Sequence, residues 1–306
     1  MNNIIVIAGP TASGKTKVSI ELAKAINGEL ISADSMQVYK YMDIGTAKPT
    51  IIERQGIQHY LIDEVYPNEE FSVAKYQSLA INYIKEIFYK GKIPIIAGGT
   101  GLYINSLIYN IRFSEIETDW DLRKDLLNIA NEKGNEYLHN QLREFDPEAA
   151  ERIHVNDVKR IIRAIEVFRA TNKTMTYHQR ISRSEPSPYN YLLFGLTMDR
   201  QVLYDKINKR VDLMIEKGLI NEVKNLMNMG YDQSHVSMQG LGYKEILWYL
   251  KGEASLDEAV YLLKRDTRHY AKRQMTWLRK IKEIVWININ EETRDKDIIQ
   301  HIINFI

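Results

Sequence analysis

Short apolar runs alternate with longer amphipathic segments over the first hundred residues of the chain. The apolar runs have the length of strands and predict strands at residues 3–8, 30–33, 59–65 and 93–97. Between them, apolar positions repeat at helical spacing and predict helices at residues 15–26 and 73–89. Because strand and helix patterns alternate, the sequence favours a parallel sheet with helices on both faces.

The pattern changes after residue 114. Helical spacing without any strand pattern predicts four helices, at residues 121–131, 135–145, 156–170 and 174–183. Strand and helix patterns then return, with strands at residues 191–196 and 284–289 and helices at residues 200–217, 219–229 and 255–282. We therefore predict an α/β fold whose core domain comprises residues 1–114 and 189–306, with a small all-helical insert domain at residues 115–188.

Composition excludes several classes of protein. Of the 306 residues, 44% are hydrophobic and 26% are charged, which is typical of a globular chain and not of a disordered one. The absence of cysteine excludes disulfides, thiolate zinc sites, iron–sulfur clusters and cysteine nucleophiles. The first residues lack the basic start of a signal peptide, and no apolar run reaches the length of a membrane span. We expect a soluble, cytoplasmic protein.

The distribution of charge is more informative than its total, because the formal net charge is only +1. Residues 115–151 contain eleven acidic and four basic side chains, whereas residues 152–183 contain eight basic and two acidic ones. A second basic stretch, residues 264–282, contains eight basic side chains and one acidic one. These stretches are either solvated helix faces, in part paired with the acidic segment, or surfaces that bind nucleic acid.

A phosphate-binding loop is the clearest motif. The sequence G-x-x-x-x-G-K-T follows the first predicted strand and opens the first predicted helix, and its residues are Gly9, Pro10, Thr11, Ala12, Ser13, Gly14, Lys15 and Thr16. The glycines allow backbone N–H groups to turn toward phosphate oxygens, Lys15 adds a full charge, and the hydroxyl of Thr16 suits Mg²⁺. The motif thus predicts a phosphate-loop-type core that binds a polyphosphate, without specifying a nucleotide.

Two polar residues follow other strands of the predicted sheet. Asp34 comes directly after the strand at residues 30–33, and Thr100 follows the strand at residues 93–97. Ligands of open α/β sheets bind at the carboxyl ends of the strands, so both side chains should face the phosphate loop. A capping role for Asp34 and a turn role for Thr100 remain as alternatives. The later strands lack the acidic magnesium ligand that nucleotide hydrolysis needs.

The chain resembles the tRNA dimethylallyltransferases, also called tRNA isopentenyltransferases, and is similar in length to the bacterial members. The similarity lies in the loop at residues 9–16, in Asp-Ser-Met-Gln-Val-Tyr at residues 34–39 and in Gly-Gly-Thr-Gly-Leu-Tyr at residues 98–103. Further matching stretches lie at residues 42–49, 156–166, 210–212, 242–245 and 272–279. Phosphate loops are common, but the segment from residue 34 to residue 49 is much more specific.

The resemblance implies a reaction and a set of catalytic residues. A dimethylallyl group would move from dimethylallyl diphosphate to the exocyclic amine of the adenine just 3′ of a tRNA anticodon. Lys15 and Arg210 would stabilise the diphosphate leaving group, and Mg²⁺ would be held at Ser13 and Thr16. Asp34 would accept the proton of the amine, and Thr100 would hydrogen-bond near the same centre.

The resemblance also implies an RNA-binding surface that includes both basic stretches. The insert domain would grip the anticodon stem-loop. The residues expected to contact tRNA are Asp34, Ser35, Met36, Gln37, Thr100, Arg123, Lys159, Arg160, Arg163, Gly242, Tyr243, Lys244, Lys272, Arg273, Gln274, Trp277 and Arg279. For Trp277, packing in the core is an equally good interpretation.

Three other hypotheses fit parts of the sequence. A small-molecule kinase would share the loop but consume ATP, and it would leave the basic stretches without a function. A non-catalytic RNA-binding protein or RNA-remodelling ATPase would not need the segment around Asp34. A relative that prenylates free adenine nucleotides would not need the basic insert. We expect tRNA and dimethylallyl diphosphate as partners, with no membrane, no obligate protein partner and a monomeric state.

Overall fold

The computed structural model describes residues 3–113, 118–182, 185–290 and 292–306. Six strands are present in this part of the chain: β1 (Asn3–Ala8), β2 (Gly28–Ala33), β3 (His59–Tyr60), β4 (Ile93–Gly98), β5 (Asn190–Thr197) and β6 (Val285–Asn288). They form one parallel sheet in the order β3-β2-β4-β1-β5-β6. The predicted parallel α/β fold is confirmed.

Helices follow or flank each of these strands. They are α1 (Lys15–Ala25), α2 (Ile51–Arg54), α3 (Val73–Tyr89), α4 (Gly101–Ile108), α5 (Trp120–Lys133), α6 (Asn135–Phe145), α7 (Pro147–Arg152), α8 (Val158–Thr171), α9 (Met175–Ile181), α10 (Arg200–Glu216), α11 (Leu219–Asn228), α12 (Tyr243–Leu250), α13 (Leu256–Leu278) and α14 (Asp295–Ile303), with a 3₁₀ turn at Ser237–Gln239. None of the helices in the described ranges is long and apolar enough to cross a bilayer.

The chain divides into two compact units. One unit comprises Met1–Ile108 and Pro188–Ile306 and contains the sheet; the other comprises Tyr109–Ser187 and contains α5 to α9. In the described residues of the second unit no strand occurs. The boundary that the sequence predicts between residues 114 and 115 lies outside the described residues.

The central strand β1 buries both of its faces. Ile4 and Val6 point to one side of the sheet and pack in a cluster with residues of α3 and α4. Ile5 and Ile7 point to the other side and pack with residues of α1 and α14. All four side chains are completely buried. A strand covered on both faces needs a continuous apolar run, and this explains why β1 was recognisable from sequence.

Two features differ from the sequence-based prediction. The strand predicted at residues 59–65 is wrong beyond Tyr60, because Leu61 and Asp63 each adopt a φ of 60°, which turns the backbone away from the sheet. The helices α2, α4, α7, α12 and α14 were not predicted. α4 is short, begins at a glycine and buries most of its surface, so it lacks the polar face that makes a helix recognisable by periodicity.

Candidate active site

The phosphate loop joins the end of β1 to the start of α1. Ala12 and Gly14 adopt left-handed conformations, with φ of 63° and 88°, and these turn the loop around an enclosed centre. A Cβ at Gly9 would lie 2.9 Å from the carbonyl oxygen of Leu196, so only glycine fits there. The hydroxyl of Ser13 is buried and has no hydrogen-bond partner within the described chain.

Two cations converge on this loop. The ammonium of Lys15 donates to the carbonyl oxygen of Pro10 at 2.6 Å, and Arg210 of α10 donates from Nη1 to the hydroxyl of Thr11 at 3.2 Å. Desolvation, and then the charge of Arg210, lower the pKa of Lys15 to about 7, against the opposing effect of Asp34. Desolvation also lowers the pKa of Arg210. Two adjacent, half-buried cations form a site for a multiply charged anion.

The carboxyl ends of β2 and β4 bring Asp34 and Thr100 to one place. The two strands are neighbours, and a Cβ at Gly98 would lie 2.2 Å from the carbonyl oxygen of Ala33, so the chains meet only because residue 98 is glycine. Thr100 accepts a hydrogen bond at Oγ1 from the backbone of Ser35 at 3.1 Å. These contacts hold the segment that follows β2, and with it Asp34, against the turn that follows β4.

A cavity of about 330 Å³ lies between the phosphate loop and this segment. Its lining includes Thr11 and Arg210, and also Asp34, Ser35 and Met36. The carboxylate of Asp34 also accepts a hydrogen bond from the backbone of Met36 at 2.9 Å. An anion on the loop and a second molecule beside Asp34 would therefore share one cavity.

Two residues of α13 belong to this site in a way that the sequence did not reveal. Tyr270 lines the cavity, and its pKa is raised by desolvation and by the charge of Asp34, while hydrogen bonds with Thr100 and Gln274 oppose the shift. Gln274 is only 5% exposed. It lies four residues after Tyr270, so the two side chains share a face of α13. That spacing is the signal that could have identified Tyr270.

Glu222 of α11 is a second residue that sequence reasoning missed. Its carboxylate accepts backbone hydrogen bonds from Asp43, Ile44 and Gly45 at 3.0, 2.7 and 3.1 Å. The hydroxyl of Tyr243 donates to the same carboxylate at 2.7 Å. Glu222 therefore fixes the loop that continues from the segment around Asp34, and nothing near it in the sequence marks it as important.

The side chains of three residues expected to contact tRNA have partners within the protein. The side chain of Tyr243 is completely buried against Glu222. The amide of Gln274 is buried against the protein backbone. Gln37 accepts a hydrogen bond from Ser32 and does not line the cavity, whereas Ser35 and Met36 do.

The remaining residues that are expected to contact RNA differ in solvent exposure and in their charged partners. Exposed side chains occur at Lys159, Arg160, Lys272, Arg273 and Arg279, and Trp277 is 38% exposed with its inner part against Gly101. Lys244 lies near Glu245 and Asp266, and Gly242 precedes α12 with a left-handed φ of 91°.

Arg123 and Arg163 of the helical unit are ion-paired to the same buried carboxylate. Arg123 donates two hydrogen bonds of 2.9 Å to Glu166, and Arg163 also binds it. Burial would raise the pKa of Glu166, but the hydrogen bonds from the two arginines lower it. Arg180 pairs with Glu148 at 2.6 Å, so part of the basic stretch is neutralised by the acidic stretch.

The fold and the turn between β1 and α1 define a phosphate-loop α/β protein. Comparison with known proteins refines this class. The model of the IPP transferase family matches residues 37–281. The tRNA dimethylallyltransferase of Acetivibrio thermocellus is 66% identical over 99% of this chain and 96% of that protein. The enzyme of the same name from Lachnoclostridium phytofermentans is 51% identical over 100% of this chain and 98% of that protein.

Solved structures agree with the sequence comparison. The tRNA isopentenylpyrophosphate transferase of Bacillus halodurans is 46% identical, with a TM-score of 0.75 over 100% of this chain and 95% of that chain. A eukaryotic dimethylallyltransferase acting on tRNA is 32% identical, with a TM-score of 0.81 over 95% of this chain and 75% of that chain. This chain belongs to the IPP transferase family, the family of the tRNA dimethylallyltransferases.

Proposed function

We propose that this chain transfers a dimethylallyl group from dimethylallyl diphosphate to the exocyclic N6 amine of the adenine 3′-adjacent to the anticodon of tRNA, and releases diphosphate. Membership of the IPP transferase family supports this function. The structural observation that carries it is one cavity lined by Thr11 of the phosphate loop, by Arg210 and by Asp34, with the ammonium of Lys15 bound to the same loop at Pro10. No observation in the described residues favours the kinase.

The two cations at the phosphate loop suit the donor. As the bond between the allylic carbon and the diphosphate oxygen breaks, negative charge grows on the diphosphate. Lys15 and Arg210 are already placed at the loop and are already desolvated, so they stabilise that charge without reorganisation. Closing the cavity around the donor keeps water from the allylic carbon, which would otherwise be hydrolysed.

The part of the cavity around Asp34 suits the acceptor. The N6 amine of adenine is a weak nucleophile because its lone pair is delocalised into the ring. As the new N–C bond forms, the amine must lose a proton, and Asp34 is the carboxylate on the cavity wall that can accept it. The backbone of Ser35 is fixed by Thr100, so the wall that meets the adenine is held in place. The adenine must leave its stack to enter, which is least costly in a single-stranded loop.

The loop also fits Mg²⁺. The hydroxyl of Ser13 is buried without a partner in the described chain, and Thr16 lies in the first turn of α1, so both can serve as ligands. Among the described residues no group of three histidine, aspartate or glutamate side chains could hold a metal. The other ligands would then be diphosphate oxygens and water. When bound, Mg²⁺ would neutralise charge on the leaving group.

Each of the two units carries exposed basic side chains that can contact tRNA. Lys159 and Arg160 lie at the start of α8, and Lys272, Arg273 and Arg279 lie on or beside the end of α13. Contacts between such side chains and phosphates position RNA without reading its sequence. Base selection would then fall to the residues that line the cavity, Ser35 and Met36 among them.

One assay tests this function against its competitors. Dimethylallyl diphosphate labelled in the allyl group is incubated with the enzyme and with unmodified tRNA, with AMP, or with no acceptor. We expect label only in tRNA, located at the adenine next to the anticodon, and no requirement for ATP. Label in AMP at a comparable rate would support the nucleotide prenyltransferase, and stoichiometric release of ADP from added ATP would support the kinase.

A variant at Asp34 tests its assigned role. Asp34→Ala should lower the single-turnover rate of transfer about 10²–10⁴-fold, which is the span expected for loss of a general base. The affinity for tRNA should change little, because the carboxylate contributes to proton transfer rather than to phosphate binding. A single-turnover rate within a few-fold of wild type would exclude Asp34 as the base.

A further inference from the structure

We propose that Gln274 is a positioning residue that couples the donor side of the cavity to the acceptor side, so that each substrate raises the affinity for the other. This inference rests on the proposed function, which gives the two sides their ligands. It assigns Gln274 to the interior of the site instead of to the RNA surface.

On the donor side, Gln274 holds the phosphate loop. Its Oε1 accepts a hydrogen bond of 2.8 Å from the backbone N–H of Thr11. The hydroxyl of the same threonine accepts a hydrogen bond of 3.2 Å from Arg210. A diphosphate that draws the loop and Arg210 toward itself therefore acts directly on the residue that Gln274 binds.

On the acceptor side, the same amide holds the turn after β4. Its Nε2 donates to the carbonyl oxygen of Gly99 at 3.1 Å. The next residue, Thr100, binds the backbone of Ser35 on the wall that would meet the adenine. A Cβ at Gly99 would lie 2.2 Å from Nε2 of Gln274, so glycine at this position is what lets the amide reach the backbone.

The arrangement requires a glutamine. The amide oxygen accepts a hydrogen bond and the amide nitrogen donates one, so the orientation of the amide is fixed. The side chain is 5% exposed, and Tyr270 joins it to Thr100 from one turn earlier in α13. Both ligands therefore act on one ordered element. The first ligand to bind orders it, and the second binds to a site that is already ordered.

The experiment measures this coupling directly. The dissociation constant of a synthetic anticodon stem-loop RNA is determined with and without saturating dimethylallyl S-thiodiphosphate, a donor analogue with a poor leaving group. For wild type we expect the analogue to tighten RNA binding by about 5–150-fold, the usual range for coupled sites. Reciprocity requires the RNA to tighten binding of the analogue by the same factor.

Two variants remove the coupling by different means. Gln274→Met keeps the length and fills the same buried space, but it makes neither hydrogen bond. Gln274→Glu keeps an acceptor for Thr11 but places an oxygen against the carbonyl of Gly99. In both variants the ratio of the two dissociation constants should fall to about 1. Thr276→Ala is the control, because that hydroxyl bonds only its own helix at Lys272.

Three results would overturn the proposal: no coupling in wild type, a wild-type ratio in Gln274→Met, or a wild-type ratio in Gln274→Glu when the methionine variant does not fold. Circular dichroism establishes which variants fold. The labelled-donor assay on wild type keeps the two conclusions separate. If the wild-type enzyme prenylates tRNA but shows no coupling between the two ligands, only the role of Gln274 is rejected. If the wild-type enzyme does not prenylate tRNA, the proposed function is rejected.

Discussion

Two lysines of the sheet-containing unit, Lys48, which is buried, and Lys15, which is half-buried, differ in the partners of their ammonium groups. Lys48 is 8% exposed, and its ammonium lies 2.8 Å from Asp43 and 2.6 Å from Asp63, with the carbonyl oxygen of Tyr39 at 2.5 Å. Lys15 makes no ion pair with a carboxylate of the described chain, and its ammonium has only the carbonyl oxygen of Pro10 at 2.6 Å. The positive charge of Arg210 repels the ammonium of Lys15 and lowers its pKa.

The difference separates a structural charge from a functional one. A buried cation that has two carboxylates and a carbonyl is satisfied by the fold, and it joins the parts of the loop at residues 39–63. A desolvated cation without a carboxylate costs stability until an anion arrives. Perturbed groups of the second kind concentrate where ligands bind, so the environment of Lys15, and not its burial alone, identifies the site.

Of the two lysines, Lys15 should give the larger effect when its charge is removed. Lys15→Met should lower the rate of transfer about 10³-fold, because a charge that stabilises the leaving group is lost. The free energy of unfolding should stay the same or rise, because an uncompensated cation is lost as well. Single-turnover kinetics and urea denaturation of the same sample measure both quantities. If the free energy of unfolding fell by as much as the activation free energy rose, Lys15 would be a structural charge like Lys48.

The reverse result is expected for Lys48. Lys48→Met should lower the free energy of unfolding by about 2–3 kcal/mol, because charge-assisted hydrogen bonds to two carboxylates are lost. The affinity for the unreactive donor analogue should remain within about threefold of wild type. Urea denaturation and titration calorimetry test the two statements. Weakened donor binding with unchanged stability would show that Lys48 serves the ligand and not the fold.

Donor binding should depend on pH because Lys15 titrates near neutral pH. Its pKa is about 7 in the free protein, lowered by desolvation and by Arg210, and a bound diphosphate will raise it. Below pH 7 the lysine is already protonated and its contribution to affinity is complete. Above pH 7 it must take up a proton to bind, so the dissociation constant should rise by up to about tenfold per pH unit.

Calorimetry in buffers of different ionisation enthalpy checks this directly. At pH 8 the wild type should take up nearly one proton per donor analogue bound, and Lys15→Met should take up none from this group. Equal proton uptake in both proteins would assign the titration to another residue and would leave Lys15 as an ordinary charged lysine.

The sequence predicted those parts of the site whose geometry is local. The phosphate loop is encoded in eight consecutive residues, and Asp34 and Thr100 follow directly from the ends of two strands. Gln274 lies 263 residues from Thr11, its partner in the loop. A motif match placed Gln274 in a basic stretch, but only the packing of α13 on Gly99 shows that its side chain turns inward.

The sequence also did not show which carboxylates pair with which cations. The pairing of Lys48 with Asp63 requires the turn after β3, where the sequence wrongly predicted a continuing strand. Likewise, Glu166 stands as one of two acids in a basic stretch, and its burial between Arg123 and Arg163 depends on the contact of α5 with α8. Composition counts charges, but it does not show which of them the fold has already neutralised.

The smallest expected effect concerns the basic residues expected to bind RNA, where exposed cations should behave differently from cations that are paired with a buried carboxylate. Lys159 and Arg160 are exposed, and the ion pair of Arg160 with Asp157 is open to solvent, so it contributes little. Replacing both by alanine should make the slope of log affinity for the stem-loop against log salt shallower by up to about 1.4, since each phosphate contact on single-stranded nucleic acid contributes about 0.7. The same change is expected for Lys272 and Arg273 together.

Arg123 supplies the matched contrast. It is neutralised by Glu166 as Lys48 is by its aspartates, and that carboxylate is only 1% exposed. Arg123→Ala should therefore leave the salt slope nearly unchanged while it lowers the thermal stability, because it leaves a buried carboxylate with one partner fewer. Salt titrations of RNA binding by fluorescence anisotropy measure the slopes. If Arg123→Ala reduced the slope as much as the exposed pair does, its charge would reach the RNA despite its partner, and local pairing would not separate structural from functional cations.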